Sequence, residues 1–305
     1  MHTPVLLHET IEYLLTDPNG IYIDCTLGGG GHTSLLAQKL QDEGKIYALD
    51  QDLEIMRQTV EKLHMERLHP IHANFRNLRQ VMEQEGVEAV DGIMMDLGVS
   101  SFQLDQAERG FSFHEDAALD MRMDRSQGIS AAELVNEWEE AALCDILFRY
   151  GEEKYAKRIA GAICTARQKH SIETTGELVN IIKEAVPAVY KREKHPARRT
   201  FQALRMAVNQ ELEALEEVLP QAVSLLKPGG RLCIITFHSL EDRMVKQFYR
   251  DLAQECICPP KQPICTCHHH ATLKILKRSG LVPTKQEESE NPRARSARLR
   301  IAEKI

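Results

Sequence analysis

The chain has 305 residues and a formal net charge of −7, with 43% hydrophobic and 27% charged residues. This length predicts about two domains, and the acidic balance excludes nucleic-acid binding through overall charge, so a polyanion would have to meet local basic clusters. No apolar run approaches the roughly 18 residues of a membrane helix, and the first ten residues, MHTPVLLHET, have no secretory pattern. Eight cysteines without such a signal indicate a cytoplasmic protein; neither a membrane nor a protein partner is predicted.

The first predicted unit is a strand, a glycine turn and a helix within IYIDCTLGGGGHTSLLAQKL, residues 21–40. Ile21 to Ile23 have the character of a short buried strand, and leucines at 35, 36 and 40 have the spacing of one helix face. Four consecutive glycines allow the chain to turn tightly and a ligand to lie on the backbone. The pattern therefore predicts the opening of a nucleoside- or dinucleotide-binding βαβ unit.

Strands and helices alternate through the next sixty residues. KIYALDQD, ending its strand at Asp50, is followed by a helix over about 53–64, then by the strand HPIHANF and the helix LRQVMEQEG. VDGIMMDLG predicts a fourth strand that ends at Asp96. Strands separated by helices of this length predict a parallel sheet covered on both faces.

Residues 110–205 contain amphipathic helical patterns and no convincing strand. The strand pattern returns at RLCIITFHS after the turn Pro228-Gly229-Gly230, and more weakly at TLKIL and ARLRIAE. We therefore predict an α/β domain formed by residues 1–109 and 206–305, with an all-helical domain inserted at 110–205.

The residues around the glycines distinguish between ligands. A nicotinamide dinucleotide site has the pattern G-x-G-x-x-G, for which Gly28 and Gly30 fit but Thr33 occupies the third position. Asp50 could hold the ribose diol that NAD and S-adenosylmethionine share. Asp24 favours S-adenosylmethionine, because its carboxylate would repel a pyrophosphate and attract the ammonium of a methionine group. Alternatively, Asp24 caps the turn and Asp50 caps a helix; a P-loop is excluded because no Gly-Lys-Ser/Thr follows.

Several blocks in one order resemble a known family from end to end. They are TPVLLHE at 3–9, DCTLGGGGHTS at 24–34, DLGVSSFQLD at 96–105, RGFSF at 109–113, LDMRMD at 119–124, RRTFQALRMAVNQEL at 198–212, TFHSLEDR at 236–243 and NPRARSARLR at 291–300. On these blocks the chain resembles the RsmH (MraW) family of small-subunit (16S) ribosomal RNA cytosine-N4-methyltransferases. The resemblance implies a Rossmann-like class I methyltransferase domain at 1–109 and 206–305, and substrate recognition by the helical domain inserted at 110–205. It also implies rRNA methylation to N4-methylcytidine at one cytidine of the decoding region, with S-adenosyl-L-methionine as cofactor.

The resemblance also implies cofactor contacts at particular positions. Asp50 would hold the ribose, Phe75 would line the adenine, and Asp96 with Gln103 would close the site near the methionine end. The complete set of predicted cofactor residues is Asp24, Gly28, Gly30, Gly31, His32, Asp50, Phe75, Asp96 and Gln103. Taken singly, Phe75 is equally explained as a core aromatic and Gln103 as an amide that stabilises a loop.

Two residues are candidates for catalysis. Amino-methyltransferases often carry an Asp/Asn-Pro-Pro-aromatic turn after the fourth strand, and here only the acid, Asp96, is present. We predict that Asp96 orients the cytosine amine by accepting its hydrogen bonds. His238 is predicted either to remove a proton or to contact the base; its alternative is a structural hydrogen bond to a neighbouring loop. Phe102 and Phe237 are both candidates for stacking on the base.

Two basic clusters are candidates for RNA binding in an otherwise acidic chain. One is YKREKHPARR at 190–199 and the other is NPRARSARLR at 291–300. Arginine binds phosphate oxygens bidentately. The predicted contacts are Arg192, Lys194, Arg198, Arg199, Arg293, Arg295 and Arg298. A solvated face is the alternative for either cluster, and the alternation in RARSARLR indicates that part of the second is structural.

Four cysteines fall in one short segment, ECICPPKQPICTCHHH. Thiolates near imidazoles suggest zinc, but the C-x-C spacing of Cys256, Cys258, Cys265 and Cys267 fits one tetrahedral ion less well than C-x-x-C. The sequence interpretation is that no metal binds, with a structural zinc as the alternative.

Three other functions stay open at this stage. The chain could methylate a DNA or protein amine on the same fold, although the missing Pro-Pro turn weighs against this. It could also bind the cofactor as a ribosome-assembly factor without transferring methyl. A nicotinamide oxidoreductase is disfavoured by Thr33 and Asp24. Its partner is predicted to be small-subunit rRNA or the assembled small subunit.

Overall fold

The computed structural model describes residues 4–190, 195–259, 262, 264, 266, 267 and 269–305. It divides into two compact units: residues 1–98 with 212–305, and residues 99–211. The boundaries predicted from the sequence lie at 109/110 and 205/206, so the second unit extends further at both ends.

The contacts of the two flanking segments explain this extension. Val99 and Leu104 pack against the hydrophobic core of the second unit. The buried Arg109 donates from Nη2 to the carbonyl of Met123 at 3.1 Å. The side chain of Asn209 accepts a hydrogen bond from the backbone N–H of the same residue, Met123, at 2.7 Å. Both segments are therefore held by polar and apolar contacts inside the second unit.

The first unit contains a seven-stranded sheet. Its strands are β1 Ile21–Asp24, β2 Lys45–Asp50, β3 Leu68–His72, β4 Val90–Asp96, β5 Leu226–Thr236, β6 Leu273–Ile275 and β7 Arg298–Lys304. The order across the sheet is β3-β2-β1-β4-β5-β7-β6. Strands β1 to β5 are parallel to one another, and β7 runs antiparallel to both β5 and β6. The predicted α/β fold class, with two further strands after the fifth, is confirmed.

One local prediction differs from the structure. Pro228-Gly229-Gly230 was predicted as a turn before the fifth strand, whereas β5 begins earlier, at Leu226, and runs through these residues. Its pairing with β4 shifts register between Val90 and Gly92. The positive φ of Gly229, 79°, fits this irregularity, because only glycine adopts such a φ without strain.

Helices cover both faces of the sheet. They are α1 Leu7–Leu14, α2 Gly31–Lys39, α3 Leu53–Leu63 and α4 Leu78–Gln84, and later in the chain Glu211–Leu225, Ser239–Leu252 and Lys285–Glu290. Neighbouring residues of β1 belong to different hydrophobic clusters: Ile23 to one that includes Leu78 and Leu215, and Tyr22 to one that includes Leu36. Alternate side chains therefore pack under opposite helical layers, as expected for a parallel sheet.

The described residues of the second unit form helices joined by irregular segments, and their only β pairing is one isolated bridge between Ala118 and Thr174. Its helices are α5 Ser101–Asp105, α6 Ala131–Glu137, α7 Glu140–Arg149, α8 Ala156–Arg167, α9 Thr175–Ala185 and α10 Arg198–Asn209. Counted on from there, the last three helices of the first unit are α11 Glu211–Leu225, α12 Ser239–Leu252 and α13 Lys285–Glu290. Ser130 and Thr174 begin α6 and α9 with reciprocal capping boxes. Among the described residues, no helix is both long enough and apolar enough to span a membrane.

Candidate active site

Three aspartates end three adjacent parallel strands of the first unit. Asp24 is the last residue of β1, Asp50 of β2 and Asp96 of β4. β1 pairs with β2 on one side and with β4 on the other. Because parallel strands end at one edge of the sheet, the three carboxyl groups converge where α/β folds bind their ligands.

The glycine turn connects β1 to α2 and contacts this acidic edge. The backbone N–H of Gly28 donates to Oδ2 of Asp50 at 2.8 Å. The carbonyl of Gly28 accepts from the hydroxyl of Thr59 on α3, at 2.6 Å. The turn is therefore fixed from both sides by the strand end and by the following helix.

The absence of side chains at Gly30 and Gly31 is explained by neighbours within the protein. Gly30 has φ of 71°, and a Cβ there would meet the side chains of Thr59 at 2.8 Å and Leu63 at 2.7 Å. A Cβ on Gly31 would collide with the ring of Pro4. The sequence interpretation gave these glycines two reasons, a tight turn and a ligand on the backbone. The side chains of α3 and of the N-terminal segment supply a third, because they leave no room for a Cβ at either position.

Asp24 is 1% exposed and has partners for both carboxylate oxygens. Oδ1 accepts from the backbone N–H of Thr26 at 3.0 Å, and Oδ2 accepts from the hydroxyl of Thr33 at 2.7 Å. Burial raises the pKa of Asp24, and these hydrogen bonds oppose the increase. Asp24 therefore caps the turn, one of the two roles predicted for it, and adds negative potential to the site when ionised.

Asp50 also has both oxygens engaged, at a half-buried position. Oδ2 accepts from Gly28, and Oδ1 accepts from the backbone N–H of Asp52 at 2.8 Å. Burial raises the pKa of Asp50 to about 6. Each carboxylate oxygen has a further lone pair, so these two contacts leave acceptor capacity for a diol.

Of the three aspartates at the strand ends, Asp96 has the fewest side-chain hydrogen bonds. Its backbone N–H donates to the hydroxyl of Thr26 at 2.7 Å, but its Oδ1 is buried without a hydrogen-bond partner. Burial, followed by repulsion from Asp24 and Glu241, raises the pKa of Asp96 to about 8. The apo protein therefore holds Asp96 mainly protonated at neutral pH.

His32 lies behind Asp96 at the start of α2. Its Nε2 is 3.1 Å from the carbonyl of Val5, so we assign the proton to Nε2. Burial lowers the pKa of His32 to about 4, which keeps the ring neutral. Its Nδ1 then presents a lone pair towards Oδ2 of Asp96, 3.8 Å away.

His238 follows β5 and caps α12. Its Nδ1 accepts from the backbone N–H of Glu241 at 3.3 Å, while Oε2 of Glu241 accepts from the backbone N–H groups of Phe237 and His238. Nε2 of His238 is 3.1 Å from Oε1 of Glu241 but is not aligned for a hydrogen bond. These contacts correspond to the structural alternative, because the Nδ1 lone pair that a base would use is occupied.

The remaining predicted cofactor residues lie in different units. Phe75 begins a short 3₁₀ helix, Phe75–Asn77, after β3 and packs half-buried against the core. The backbone two residues earlier is held beside the second strand, since Ala73 N–H donates to the carbonyl of Asp50. Gln103 is 4% exposed in the second unit, where its Oε1 accepts from Ser100 N–H as part of the α5 capping box.

The two candidates for base stacking also differ in their surroundings. Phe102 on α5 is 40% exposed. Phe237 is half-buried and packs against the core of the first unit. Exposure favours Phe102 as an aromatic surface that is open to a base.

The second unit carries part of the first basic cluster. Arg198 is exposed at the start of α10, and Arg199 donates to the carbonyl of Glu152 at 2.7 Å. Arg192 and Lys194 lie outside the described residues. Of the described members, Arg198 is the better placed for a phosphate, since Arg199 already has a backbone acceptor.

The second basic cluster divides into exposed and structural arginines. Arg293 and Arg295 are exposed on the 3₁₀ helix Pro292–Ser296. Arg298 donates to the carbonyl of Ser279. The buried Arg300 forms a bidentate pair with Asp242, at 2.8 and 2.9 Å. The alternation along this segment is therefore structural from Arg298 onwards.

Sequence reasoning missed the residues that organise the acids. Thr26 and Thr33 hold Asp24, and Thr26 also holds the backbone of Asp96. Glu241 contributes a further buried acid, 2% exposed. Thr33 could have been found, because it occupies the position of the third glycine and its hydroxyl faces Asp24. Glu241 could not, since it lies 145 positions after Asp96 in the chain.

Comparison with known proteins gives a consistent result along the whole chain. The sequence profile described as the MraW methylase family matches residues 1–305. A protein named ribosomal RNA small subunit methyltransferase H from Brevibacillus brevis is 49% identical over 307 residues, covering 100% of this chain and 98% of that protein. Proteins of the same name from Clostridium botulinum and Halothermothrix orenii are each 48% identical, covering 100% of this chain and 99% and 98% of their own lengths.

The solved structures are more distant. The crystal structure of an rRNA methylase from Streptococcus thermophilus is 14% identical, with a TM-score of 0.44, and covers 98% of this chain and 93% of its own. A likeness this weak assigns neither fold nor activity. The full-length profile match and the relatives at 48–49% identity do assign a family: the chain belongs to the MraW methylase family.

Proposed function

We propose that the protein transfers a methyl group from S-adenosylmethionine to the exocyclic N4 amine of one cytidine in the decoding region of small-subunit ribosomal RNA, in the cytoplasm. The observation that carries this proposal is identity of 48–49% along the full chain to proteins named ribosomal RNA small subunit methyltransferase H. The acidic edge at the ends of β1, β2 and β4 supports methyl transfer from a cationic donor.

The carboxyl groups fit a cationic cofactor. The negative charges of Asp24 and Glu241 repel an ionised Asp96, and Oδ1 of Asp96 is buried without a hydrogen-bond partner. A ligand that brings positive charge would relieve this repulsion. Asp50 would accept from the ribose hydroxyls, and the backbone of the turn at Gly30 and Gly31 would face the methionine end. S-adenosylmethionine supplies the electrophilic methyl group and the positive charge of its sulfonium.

Asp96 would orient the target amine. The lone pair of that amine is delocalised into the ring, so attack requires the amine to turn and its hydrogens to find an acceptor. A protonated Asp96 cannot accept through both oxygens, but a cation beside it lowers its pKa and restores the carboxylate. The substrate amine would then donate to the accessible side of this carboxylate, whose side chain is 27% exposed.

His32 would support Asp96 when the amine loses its proton. A proton taken up by Asp96 can be shared with Nδ1 of His32, provided that the 3.8 Å separation closes to hydrogen-bond distance. The bond from Nε2 to the carbonyl of Val5 fixes the tautomer that leaves Nδ1 free to accept. We assign Asp96 a catalytic role and His32 a positioning role.

RNA would be held by exposed arginines. Arg198, Arg293 and Arg295 are exposed and can meet phosphate oxygens. The target cytosine must leave its stack to reach the methyl group, and the 40% exposed Phe102 offers an aromatic surface. The partner is the small-subunit RNA or the assembled subunit that presents it.

The test is mass spectrometry of small-subunit RNA from cells lacking this chain, complemented with the wild type, Asp96→Ala or Asp42→Ala. Asp42 is an exposed acid outside the site and provides the matched control. We expect N4-methylcytidine to be restored by the wild type and by Asp42→Ala, and not by Asp96→Ala. Unchanged RNA in the cells that lack the chain would refute the proposal and favour an assembly factor without transferase activity.

A further inference from the structure

A cluster of thiols lies in the segment between α12 and β6, away from the carboxyl groups already described. The Sγ atoms of Cys256, Cys258 and Cys267 all lie within 4.8 Å of one another. The Sγ atoms of Cys256 and Cys267 are 3.7 Å apart. The three sulfur atoms are therefore close together, although Cys258 and Cys267 are nine positions apart in the chain.

These distances match those of a metal-thiolate site. Zinc binds thiolate sulfur at about 2.3 Å, and the corners of a tetrahedron of that radius are about 3.8 Å apart. The separation of 3.7 Å between Cys256 and Cys267 has this length. A disulfide would require about 2.05 Å between the sulfurs. The C-x-C spacing therefore does not prevent the three sulfurs from reaching adjacent corners of one tetrahedron.

Backbone N–H groups point at two of the sulfurs. The N–H of Cys258 donates to Sγ of Cys256 at 3.4 Å, and the N–H of Thr266 donates to Sγ of Cys258 at 3.5 Å. Donors that favour thiolate over thiol prepare the sulfurs for a cation.

None of the described residues from 253 to 272 is fully buried. The ends of this segment are joined by a hydrogen bond from the N–H of Thr272 to the carbonyl of Leu252, at 2.8 Å. Ile257 is 56% exposed and Ile264 is 75% exposed. A metal clamp would give order to these solvent-exposed residues.

We propose that Cys256, Cys258 and Cys267 are three ligands of one zinc ion. Cys265, which the sequence grouped with them, lies outside the described residues. Of the described histidines beside the cluster, His269 has Nε2 3.1 Å from the carbonyl of Asp251. Three cysteine thiolates are typical of structural zinc sites, so the ion would be structural.

The test is zinc analysis of the full-length protein purified under reducing conditions, combined with alkylation mapped by mass spectrometry. We expect about one zinc per chain, and protection of Cys256, Cys258 and Cys267 from alkylation until a strong chelator is added. Cobalt(II) in place of zinc should give the intense visible absorption of a tetrahedral thiolate site. Binding releases thiol protons, so zinc affinity should rise with pH.

Variants separate this site from the other thiols. Cys256→Ser, Cys258→Ser and Cys267→Ser should each lose stoichiometric zinc, whereas Cys144→Ser, at a half-buried cysteine of the second unit, should retain it. Titration of the wild type with zinc and cobalt gives a readout that does not depend on any variant folding. Failure of the reduced wild type to bind either metal would overturn the proposal. So would a Cys256–Cys267 disulfide in protein kept anaerobic throughout, or alkylation of Cys258 in the zinc-loaded protein.

Discussion

Replacing Asp96 by Asn should make the cofactor-free protein more stable while abolishing methyl transfer. The pKa of Asp96 is raised from 3.8 to about 8, mainly by burial. Between these values the folded protein retains a proton that the unfolded chain releases. Since stability falls with pH wherever the native state binds more protons, Asp96 lowers stability progressively from about pH 4 to pH 8.

The size of the effect follows from the shift. One pH unit corresponds to about 1.4 kcal/mol, so at pH 7 the limiting cost of Asp96 is about 4 kcal/mol. The side chain is 27% exposed, and solvent access reduces this figure. We expect Asp96→Asn to gain roughly 1–3 kcal/mol at pH 7, with a gain that grows from pH 5 and levels off above pH 8.

The assay is urea unfolding of the cofactor-free protein at half-unit intervals from pH 5 to pH 8.5. Asp42→Asn, at an exposed position, is the matched control and should follow the wild type at every pH. Loss of stability in Asp96→Asn at pH 8, or a gain that is the same at pH 5 and pH 8, would refute the raised pKa of Asp96. Either result would mean that Asp96 is ionised in the apo protein.

The other predictions concern the cofactor, the glycine turn and the arginines. Binding of S-adenosylmethionine should release up to about one proton near pH 7 as Asp96 ionises; calorimetry in buffers of different ionisation enthalpy measures this, and a buffer-independent heat would contradict it. Gly31→Ala should destabilise the protein through collision with Pro4, and Pro4→Ala should recover part of that loss in thermal unfolding; additive effects would be contrary evidence. Arg300→Ala should cost about 1–3 kcal/mol in urea unfolding, because it removes two charge-assisted hydrogen bonds from the half-buried Asp242; an unchanged unfolding midpoint would contradict this. Arg295→Ala should leave stability unchanged but reduce the salt dependence of RNA binding by about 0.7 in slope, and an unchanged slope would remove Arg295 from the RNA site.

The sheet could be predicted because each strand carries a local pattern. Short apolar segments ending in Asp24, Asp50 and Asp96, separated by helix-length segments, indicate parallel strands whose carboxyl ends meet. The two weak C-terminal strands were also predicted correctly, since they follow the buried fifth strand in the chain. The limits of the second unit were harder to predict, because Arg109 and Asn209 belong to it through contacts with residues distant in sequence.

The site was predicted less completely than the fold. Acid residues at strand ends are visible in the sequence, but their pKa values depend on how Asp24, Asp96 and Glu241 approach one another. The use of the Nδ1 of His238 as a helix cap depends on backbone direction, which its position after a strand does not reveal. The proximity of Cys256 and Cys267 depends on the path of the loop between them, which C-x-C spacing alone does not determine.

The most direct test of the proposed reaction is methyl transfer in vitro. Small ribosomal subunits from cells that lack this chain would be incubated with the purified protein and isotopically labelled S-adenosylmethionine. The RNA would then be digested and analysed by mass spectrometry with position mapping. The account predicts label in N4-methylcytidine at one cytidine of the decoding region; label at another atom or position, or no incorporation into any form of the subunit, would contradict it.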